Sequence, residues 1–143
     1  MKTIAIIPSR YGSSRFPGKP LAMISSKPMI QWVYENVSKA AMLDAVYVAT
    51  DDKRIFDCVE SFGGMALMTS DKHTCGTDRL AECAEILQLR DEDLVLNIQG
   101  DEPLIKAEMI ADLYSCFDND EVYMGTLKKH IEVQEELDNP KCC

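Results

Sequence analysis

Residues 3–20 read TIAIIPSRYGSSRFPGKP. The first five form a short apolar run rich in isoleucine, which is typical of a buried strand. The residues that follow include glycines and prolines, which favour a loop, together with three cationic side chains and no acidic one. The stretch therefore predicts a buried strand that leads into a positively charged loop.

The rest of the chain repeats this alternation of strand and helix. Apolar runs predict further strands at residues 44–49, 65–68, 93–98 and 122–127. Apolar positions at helical spacing predict helices over residues 28–41, 52–62, 77–87 and 107–117. Strands that alternate with helices indicate an α/β fold with a mostly parallel sheet flanked by helices. No linker or internal repeat divides the chain, so we expect residues 1–143 to form one domain.

Charge is distributed unevenly along the chain. The 143 residues include 15 Lys and Arg against 24 Asp and Glu, a formal net charge of -9. Residues 1–34 contain five cations and no acid, so residues 35–143, with ten cations and 24 acids, have a net charge of -14. A short basic segment on an acidic domain favours a local anion site over the broad basic face of a nucleic-acid binder. We therefore expect no nucleic-acid partner.

The sequence contains no signal for export or membrane insertion. Its N-terminal apolar run ends at Pro8, well short of the ~7–15 residues of a signal-peptide core and the ~18 of a membrane span. The six cysteines include no C-x-x-C pair and no histidine at ligand spacing, which favours reduced thiols over disulfides or zinc. We expect a cytoplasmic protein with no membrane association.

The first loop has the composition of a phosphate-binding loop. In open parallel sheets ligands bind beyond the carboxyl ends of the strands. The loops after residues 7, 49, 68 and 98 should therefore share one crevice. Glycines let backbone N–H groups turn toward an anion, and hydroxyl and cationic side chains can bind phosphate; the candidates are Arg10, Ser13, Arg15 and Lys19. Five residues separate Gly12 from Gly18 and Pro20 follows the lysine, so this is not a P-loop of the usual spacing. A flexible surface loop with solvated charges is the alternative.

The loop after the fourth predicted strand supplies the opposite charge. Asp101 follows that strand directly, where a carboxylate can hold Mg²⁺ beside phosphate oxygens. An equally open alternative is that Asp101 or Glu102 caps the next helix. The amide of Gln99 suits a hydrogen bond to a sugar, or an orienting contact with the loop backbone.

The third loop, residues 69–79, allows two interpretations. His73, Gly76, Thr77 and Arg79 are candidates for contacts with the base and ribose of a nucleotide. Thr77 is equally well placed to cap a helix. His73 is not favoured as a general base, because the sequence indicates no acid that would orient it. In the second loop Asp51 and Asp52 are expected first as helix caps, and only second as nucleotide contacts.

Four motifs together closely resemble one family. They are IIPSRYGSSRFPGKPL (6–21), VATDD (48–52), HTCGTDRLAE (73–82) and NIQGDEPL (97–104). They are similar to the motifs of the CMP-Kdo synthetases, the 3-deoxy-manno-octulosonate cytidylyltransferases, from residue 2 to about residue 140. This resemblance implies a Rossmann-like nucleotidyltransferase fold that transfers CMP from CTP to the anomeric hydroxyl of Kdo. It also implies release of pyrophosphate, a requirement for Mg²⁺, a product used in lipopolysaccharide synthesis, and a homodimer for full-length members.

The resemblance also implies roles for particular residues. Arg10, Ser13 and Lys19 match positions that contact the triphosphate, Gln99 matches a sugar contact, and Asp101 matches a magnesium ligand. With Arg15, the same cations would stabilise the charge that develops as the α-phosphorus is attacked.

The sequence departs from the family in two substitutions and in length. Cys75 stands where the family usually has Ser, and Phe16 where it usually has Leu. Family members continue beyond residue 143, with more sheet and a second metal-binding Asp. We therefore expect the chain to be the CTP-binding N-terminal portion of such an enzyme, truncated at its C-terminus. The alternative is a catalytically incompetent nucleotide-binding or interaction module of the same fold.

Overall fold

The computed structural model describes residues 1–12, 16–119 and 121–128. The strands are β1 (Thr3–Pro8), β2 (Met23–Ile24), β3 (Lys27–Pro28), β4 (Ala45–Thr50), β5 (Met65–Met68) and β6 (Leu94–Asn97). The α-helices are α1 (Met29–Val37), α2 (Lys53–Ser61), α3 (Gly76–Ile86) and α4 (Ala107–Ser115), with short 3₁₀ turns at Lys19–Leu21 and Cys116–Asp118.

Four strands form a parallel sheet in the order β5-β4-β1-β6. The central strand β1 pairs with β4 on one side, where Ile6 is opposite Tyr47, and with β6 on the other, where Ile6 is opposite Asn97. The strands β2 and β3 form a separate antiparallel hairpin. The predicted α/β class and parallel sheet are therefore confirmed.

Helices cover both faces of this sheet, and the alternation of β1 side chains accounts for the two layers. Ala5 and Ile7 pack with buried residues of α1, α2 and α4. Ile4 and Ile6 point to the opposite face, where they pack with Cys83 of α3. Because both faces of β1 are buried, its sequence is continuously apolar, as expected of a central parallel strand.

The strand predicted at residues 122–127 is wrong. This segment is irregular, and the side chains of Tyr123 and Met124 are 92% and 90% exposed. An apolar run becomes a strand only where a neighbouring strand accepts its backbone hydrogen bonds. Among the described residues β6 pairs with β1 alone, so residues 122–127 are not part of the sheet.

The predicted helices all form, but α1 differs at both ends. Pro28 belongs to the hairpin and caps the helix, so it is not the first helical residue. The helix stops at Val37 and not at residue 41, because Ser38 is the C-cap and its hydroxyl donates to the carbonyl oxygen of Tyr34. Asp52 caps α2 as predicted, since its carboxylate accepts the backbone N–H of Arg54 at 2.9 Å.

Four cysteines of the described segments are free thiols: Cys58, Cys75, Cys83 and Cys116. Burial raises the pKa of the Cys83 thiol to about 11. Cys142 and Cys143 lie outside the described residues. No helix in the described part of the chain has the length and apolar character needed to cross a membrane.

Candidate functional site

A cleft of about 670 Å³ opens at the carboxyl ends of β1 and β6. Its walls come from the loop after β1, from the start of α1 and from the loop after β6. The lining residues are Pro8, Ser9, Arg10, Gly12, Phe16, Lys19, Pro20, Met29, Gln99, Gly100 and Asp101. The expectation that all four loops share one crevice holds for the first and fourth loops. It is wrong for the loops after β4 and β5, from which no described residue lines this cleft.

An ion pair connects the loops after β1 and β6 across the cleft. Lys19 Nζ donates to Asp101 Oδ2 at 2.9 Å, with 45% and 54% of the two side chains exposed. Arg10 lines the same cleft. Among the described residues, the site therefore presents two cations and one carboxylate to a ligand.

The turn that contains Lys19 depends on a left-handed glycine. Gly18 has a φ of 71°, and its N–H donates to the carbonyl oxygen of Tyr11 at 2.8 Å. Leu21 then donates to the carbonyl oxygen of Gly18 at 2.9 Å, which closes the 3₁₀ turn Lys19–Leu21. The Tyr11 ring lies so close to Gly18 that a Cβ there would be 2.9 Å from it. Both the backbone angle and the limited space therefore favour glycine at this position.

Two of the predicted phosphate contacts cannot be placed. Ser13 and Arg15 lie outside the described residues, and their roles stay predictions. Arg10 and Lys19, by contrast, both face the cleft.

The loop after β6 approaches β1 closely. A Cβ on Gly100 would lie 2.7 Å from Ser9 Oγ and 3.1 Å from the carbonyl oxygen of Pro8. Ser9 is 3% exposed, and its hydroxyl has no hydrogen-bond partner in the described segments. Ser9 was not among the predicted site residues, because a serine directly after a strand gives no signal of burial.

The side chain of Gln99 is exposed at the rim of the cleft and makes no hydrogen bond within the described segments. The orienting contact with the loop backbone is therefore not formed. The capping alternative for Asp101 and Glu102 is wrong as well. Lys106 is the N-cap residue of α4, so the helix begins too far along the chain for either carboxylate to cap it.

Arg79, a predicted nucleotide contact, is buried with 1% of its side chain exposed. Its guanidinium donates to Asp51 Oδ2 at 3.1 Å, to the hydroxyl of Thr69, and to the carbonyl oxygen of Ser70 at 3.3 Å. Arg79 thus connects α3 by hydrogen bonds to the residues that follow β4 and β5, and it does not line the cleft. Asp51 is its partner and not a helix cap.

His73 does have an acidic partner, which corrects the expectation from the sequence. His73 Nε2 lies 2.5 Å from Glu82 Oε2, and the same carboxylate oxygen accepts the backbone N–H of Ser70 at 2.9 Å. The hydrogen bond from His73, and then that from Ser70, lower the pKa of Glu82. The pair joins the third loop to α3 but does not line the cleft. Nine positions separate the two residues, and sequence spacing alone did not single them out.

The N-cap of α3 lies two residues before the predicted cap, and the helix begins one residue before the predicted start. Cys75 is the N-cap and Thr77 lies inside the helix, so the capping interpretation of Thr77 is wrong. A Cβ on Gly76 would lie 3.6 Å from the Pro8 ring, which places the start of α3 beside the end of β1. The proposed contacts of His73, Gly76 and Thr77 with a nucleotide stay predictions.

Asp101 is the carboxylate that the described part of the chain places in the cleft, and it is suited to a hard cation. No cluster of three or more His, Cys, Asp or Glu side chains suitable for a metal is found in the described segments. Mg²⁺ nevertheless often binds through one or two carboxylates together with substrate phosphates. The ammonium group of Lys19 beside Asp101 shows that this carboxylate accommodates a cation. The donor set therefore fits Mg²⁺ held jointly with a phosphate-bearing ligand.

Comparison with known proteins shows strong similarity to one group. Residues 4–142 match a family described as Cytidylyltransferase. The 3-deoxy-manno-octulosonate cytidylyltransferase of Thermodesulfovibrio yellowstonii is 53% identical over 98% of this chain and 57% of its own length. The 8-amino-3,8-dideoxy-manno-octulosonate cytidylyltransferase of Shewanella frigidimarina is 54% identical over 98% of this chain and 58% of its own. The chain thus spans little more than half the length of these relatives.

Solved structures give the same result. A CMP:2-keto-3-deoxy-manno-octonic acid synthetase complexed with CTP has a TM-score of 0.80 and 45% identity, covering 85% of this chain and 50% of that one. A 4-diphosphocytidyl-2C-methyl-D-erythritol synthase has a TM-score of 0.67 at 18% identity, covering 83% of this chain and 56% of that one, and shares the fold alone.

Proposed function

This chain belongs to the cytidylyltransferase family, and from that premise we propose that its cleft binds CTP and that the whole protein transfers CMP to Kdo. The observation that carries the proposal is the meeting of Lys19 and Asp101 in one cleft beside Arg10. A nucleoside triphosphate with its metal needs both signs of charge within a few ångströms, and these residues provide them.

The residues of the cleft have distinct tasks in this reaction. The anomeric hydroxyl of the sugar attacks the α-phosphorus in line, the bond to the β-phosphate oxygen breaks, and pyrophosphate leaves. Lys19 and Arg10, with Arg15 from the same loop, stabilise the charge that develops on the phosphate oxygens. Asp101 would hold Mg²⁺, which would supply positive charge to neutralise and orient the triphosphate. The amide of Gln99, at the rim, is available to a sugar hydroxyl or carboxylate.

Sequence identity does not separate Kdo from its 8-amino analogue as the sugar substrate. The relatives named for the two sugars are 53% and 54% identical to this chain. We propose Kdo, on the resemblance of the four motifs. That resemblance also supports a cytoplasmic homodimer that supplies lipopolysaccharide synthesis.

Two measurements test the proposal. Calorimetric titration of the 143-residue chain with CTP, with and without Mg²⁺, should show saturable binding that Mg²⁺ strengthens, and ATP should bind more weakly. Equal binding of ATP and CTP, or no binding, overturns the nucleotide assignment.

Pyrophosphate release by the same 143-residue chain is then measured with CTP, Mg²⁺ and either Kdo or 8-amino-3,8-dideoxy-manno-octulosonate. Faster release with Kdo supports the proposed sugar, and faster release with the 8-amino sugar overturns it. CTP binding without pyrophosphate release in the presence of either sugar supports the alternative, a nucleotide-binding module that does not transfer CMP.

A further inference from the structure

We propose that Arg54, on α2 outside the cleft, is a positioning residue that holds the turn bearing Lys19 by stacking on Tyr11. The expected effect of Arg54 on CTP binding rests on the proposed function. The expected effect of Arg54 on the turn is independent of any ligand. Neither Tyr11 nor Arg54 was singled out by sequence analysis.

Arg54 stacks on the face of Tyr11. The guanidinium carbon of Arg54 lies 3.3 Å from the centroid of the Tyr11 ring. At this distance the planar guanidinium is in van der Waals contact with the ring face, and the attraction combines dispersion with a cation–π component. The two residues are 43 positions apart, so the contact joins the loop after β1 to α2.

The guanidinium itself has a fixed orientation. Arg54 Nε donates to Asp52 Oδ1 at 2.9 Å and Arg54 Nη2 donates to Asp52 Oδ2 at 2.6 Å. Asp52 is in turn fixed by its role as the N-cap of α2. A bidentate pair with a capping carboxylate leaves the guanidinium plane little freedom to rotate. Arg54 therefore presents a rigid surface to Tyr11.

Tyr11 transmits this position to Lys19. The Tyr11 ring lies against Gly18, and the Tyr11 carbonyl oxygen accepts the Gly18 N–H at 2.8 Å. Gly18 directly precedes Lys19 and is the N-cap of its 3₁₀ turn. A displacement of the Tyr11 ring therefore moves the turn from which Lys19 reaches Asp101.

The competing explanation is an ordinary surface ion pair. The side chain of Arg54 is 59% exposed, and exposed pairs contribute about 0–1 kcal/mol on average. Such a pair would support the cap of α2 alone and would have no effect on the loop. The two explanations differ in which backbone amides respond when Arg54 is changed.

Hydrogen exchange of single amides distinguishes them. In Arg54→Ala, exchange at the amides of Gly18 and Leu21 should accelerate about two- to fivefold, the factor expected for loss of one exposed cation–π contact. The amide of Phe56, which donates to the carbonyl oxygen of Asp52 in the first turn of α2, should change less. Arg54→Lys should restore part of the protection, because it keeps a cation but loses the planar fork.

The matched control is Arg90→Ala. Arg90 is equally exposed, at 58%, and pairs with Glu92 and Asp93 away from this loop. Its removal should leave Gly18 exchange unchanged. Tyr11→Phe, which keeps the ring, should also match the unmodified protein, and Tyr11→Leu should reproduce Arg54→Ala.

Acceleration confined to α2, or equal acceleration at Gly18 and Phe56, overturns the inference. If exchange at Gly18 responds as expected, the dissociation constant of CTP should rise by a similar two- to fivefold factor, about the size of one exposed cation–π contact, in Arg54→Ala. Faster exchange of the Gly18 amide in Arg54→Ala, together with no CTP binding by the unmodified chain, would support the positioning contact and contradict the proposed function. The two failures are therefore distinguishable.

Discussion

Lys19 Nζ and Asp101 Oδ2 lie 2.9 Å apart although 82 positions separate the two residues in the sequence. The pair places the cation of the loop after β1 against the carboxylate of the loop after β6. Binding of a triphosphate with Mg²⁺ offers a new partner to each, phosphate to Lys19 and metal to Asp101. The ion pair is therefore exchanged for two others when the proposed ligand binds.

Lys19→Ala should weaken CTP binding while the fold remains intact. The pair with Asp101 is half exposed, so we expect the free energy of unfolding to change by no more than about 0.5 kcal/mol. A hydrogen bond between charged groups contributes more, so the dissociation constant of CTP should rise about tenfold or more, and turnover of the whole protein should fall. Calorimetry and thermal denaturation measure both effects. Lys39→Ala, just beyond the far end of α1, is the control, and normal turnover of a folded Lys19→Ala protein would contradict the assignment.

Asp101→Asn should remove the effect of Mg²⁺ on nucleotide binding. The amide keeps the shape of the side chain but loses the charge that a hard cation requires. CTP affinity should become nearly independent of Mg²⁺ concentration, as measured by titration at several concentrations of the metal. Glu102→Gln changes the neighbouring carboxylate, which does not line the cleft, and should keep the Mg²⁺ dependence. A full Mg²⁺ effect in Asp101→Asn would show that another group holds the metal.

Gly18→Ala and Gly12→Ala should differ in stability although both glycines belong to one loop. At Gly18 the φ of 71° and the nearby Tyr11 ring both oppose a Cβ, so we expect a loss of about 1–2 kcal/mol. At Gly12 a Cβ meets no atom of the described residues within 4 Å, and the substitution should be nearly neutral. Urea denaturation of the two variants provides the measurement. Equal stabilities would mean that the turn before Lys19 adapts without strain.

Arg79→Met should destabilise the protein more than any change in the cleft. The substitution leaves Asp51, which is 20% exposed, without its cation. It also removes the N–H donor of the Thr69 hydroxyl oxygen and the Ser70 carbonyl oxygen. Loss of one partner from a largely buried pair costs about 3 kcal/mol. Arg90→Met, at an exposed pair, should change stability by less than about 1 kcal/mol. If Arg79→Met were as stable as the unmodified protein but bound CTP poorly, the nucleotide-contact prediction for Arg79 would be favoured.

Asp93 should make the stability of the protein depend on pH in the acidic range. Its carboxylate accepts backbone N–H groups from Arg90 at 2.9 Å and Lys2 at 2.6 Å, and these bonds lower its pKa from 3.8 to about 2. Because the folded protein has the lower pKa, the contribution is complete above about pH 4 and is lost as the pH falls toward about 2. The difference in melting temperature between the unmodified protein and Asp93→Asn should therefore shrink across that range. A constant difference from about pH 6 to about pH 2 would rule out this role.

The sequence was most informative where one residue type has one physical outcome. Short apolar runs predicted the four strands of the parallel sheet, because such runs are typical of strands buried on both faces, although β5 is exposed at Met65 and Met68. Parallel strands place their following loops at one edge, so the meeting of Lys19 with Asp101 also followed from topology. The apolar content of residues 122–127 was misleading, because composition does not reveal whether a neighbouring strand exists.

Pairings between charged side chains were the part that sequence could not supply. Arg79 was expected in the cleft, yet it is buried against Asp51, 28 positions away. A charge in a loop sequence indicates that a partner is needed but not whether that partner is a ligand or a neighbouring side chain. The contact of Tyr11 with Arg54 was missed for a similar reason, since aromatic and cationic residues occur widely on surfaces.

The close approach of Gly100 to Ser9 and Pro8 has a consequence for redesign. A Cβ on Gly100 would lie only 2.7 Å from Ser9 Oγ, so the loops that leave β1 and β6 already touch. The separation of these two loops where they leave the sheet is therefore set by the spacing of adjacent strands. Engineering the proposed site for a larger base or a different sugar must alter the parts of the loops that lie above the sheet.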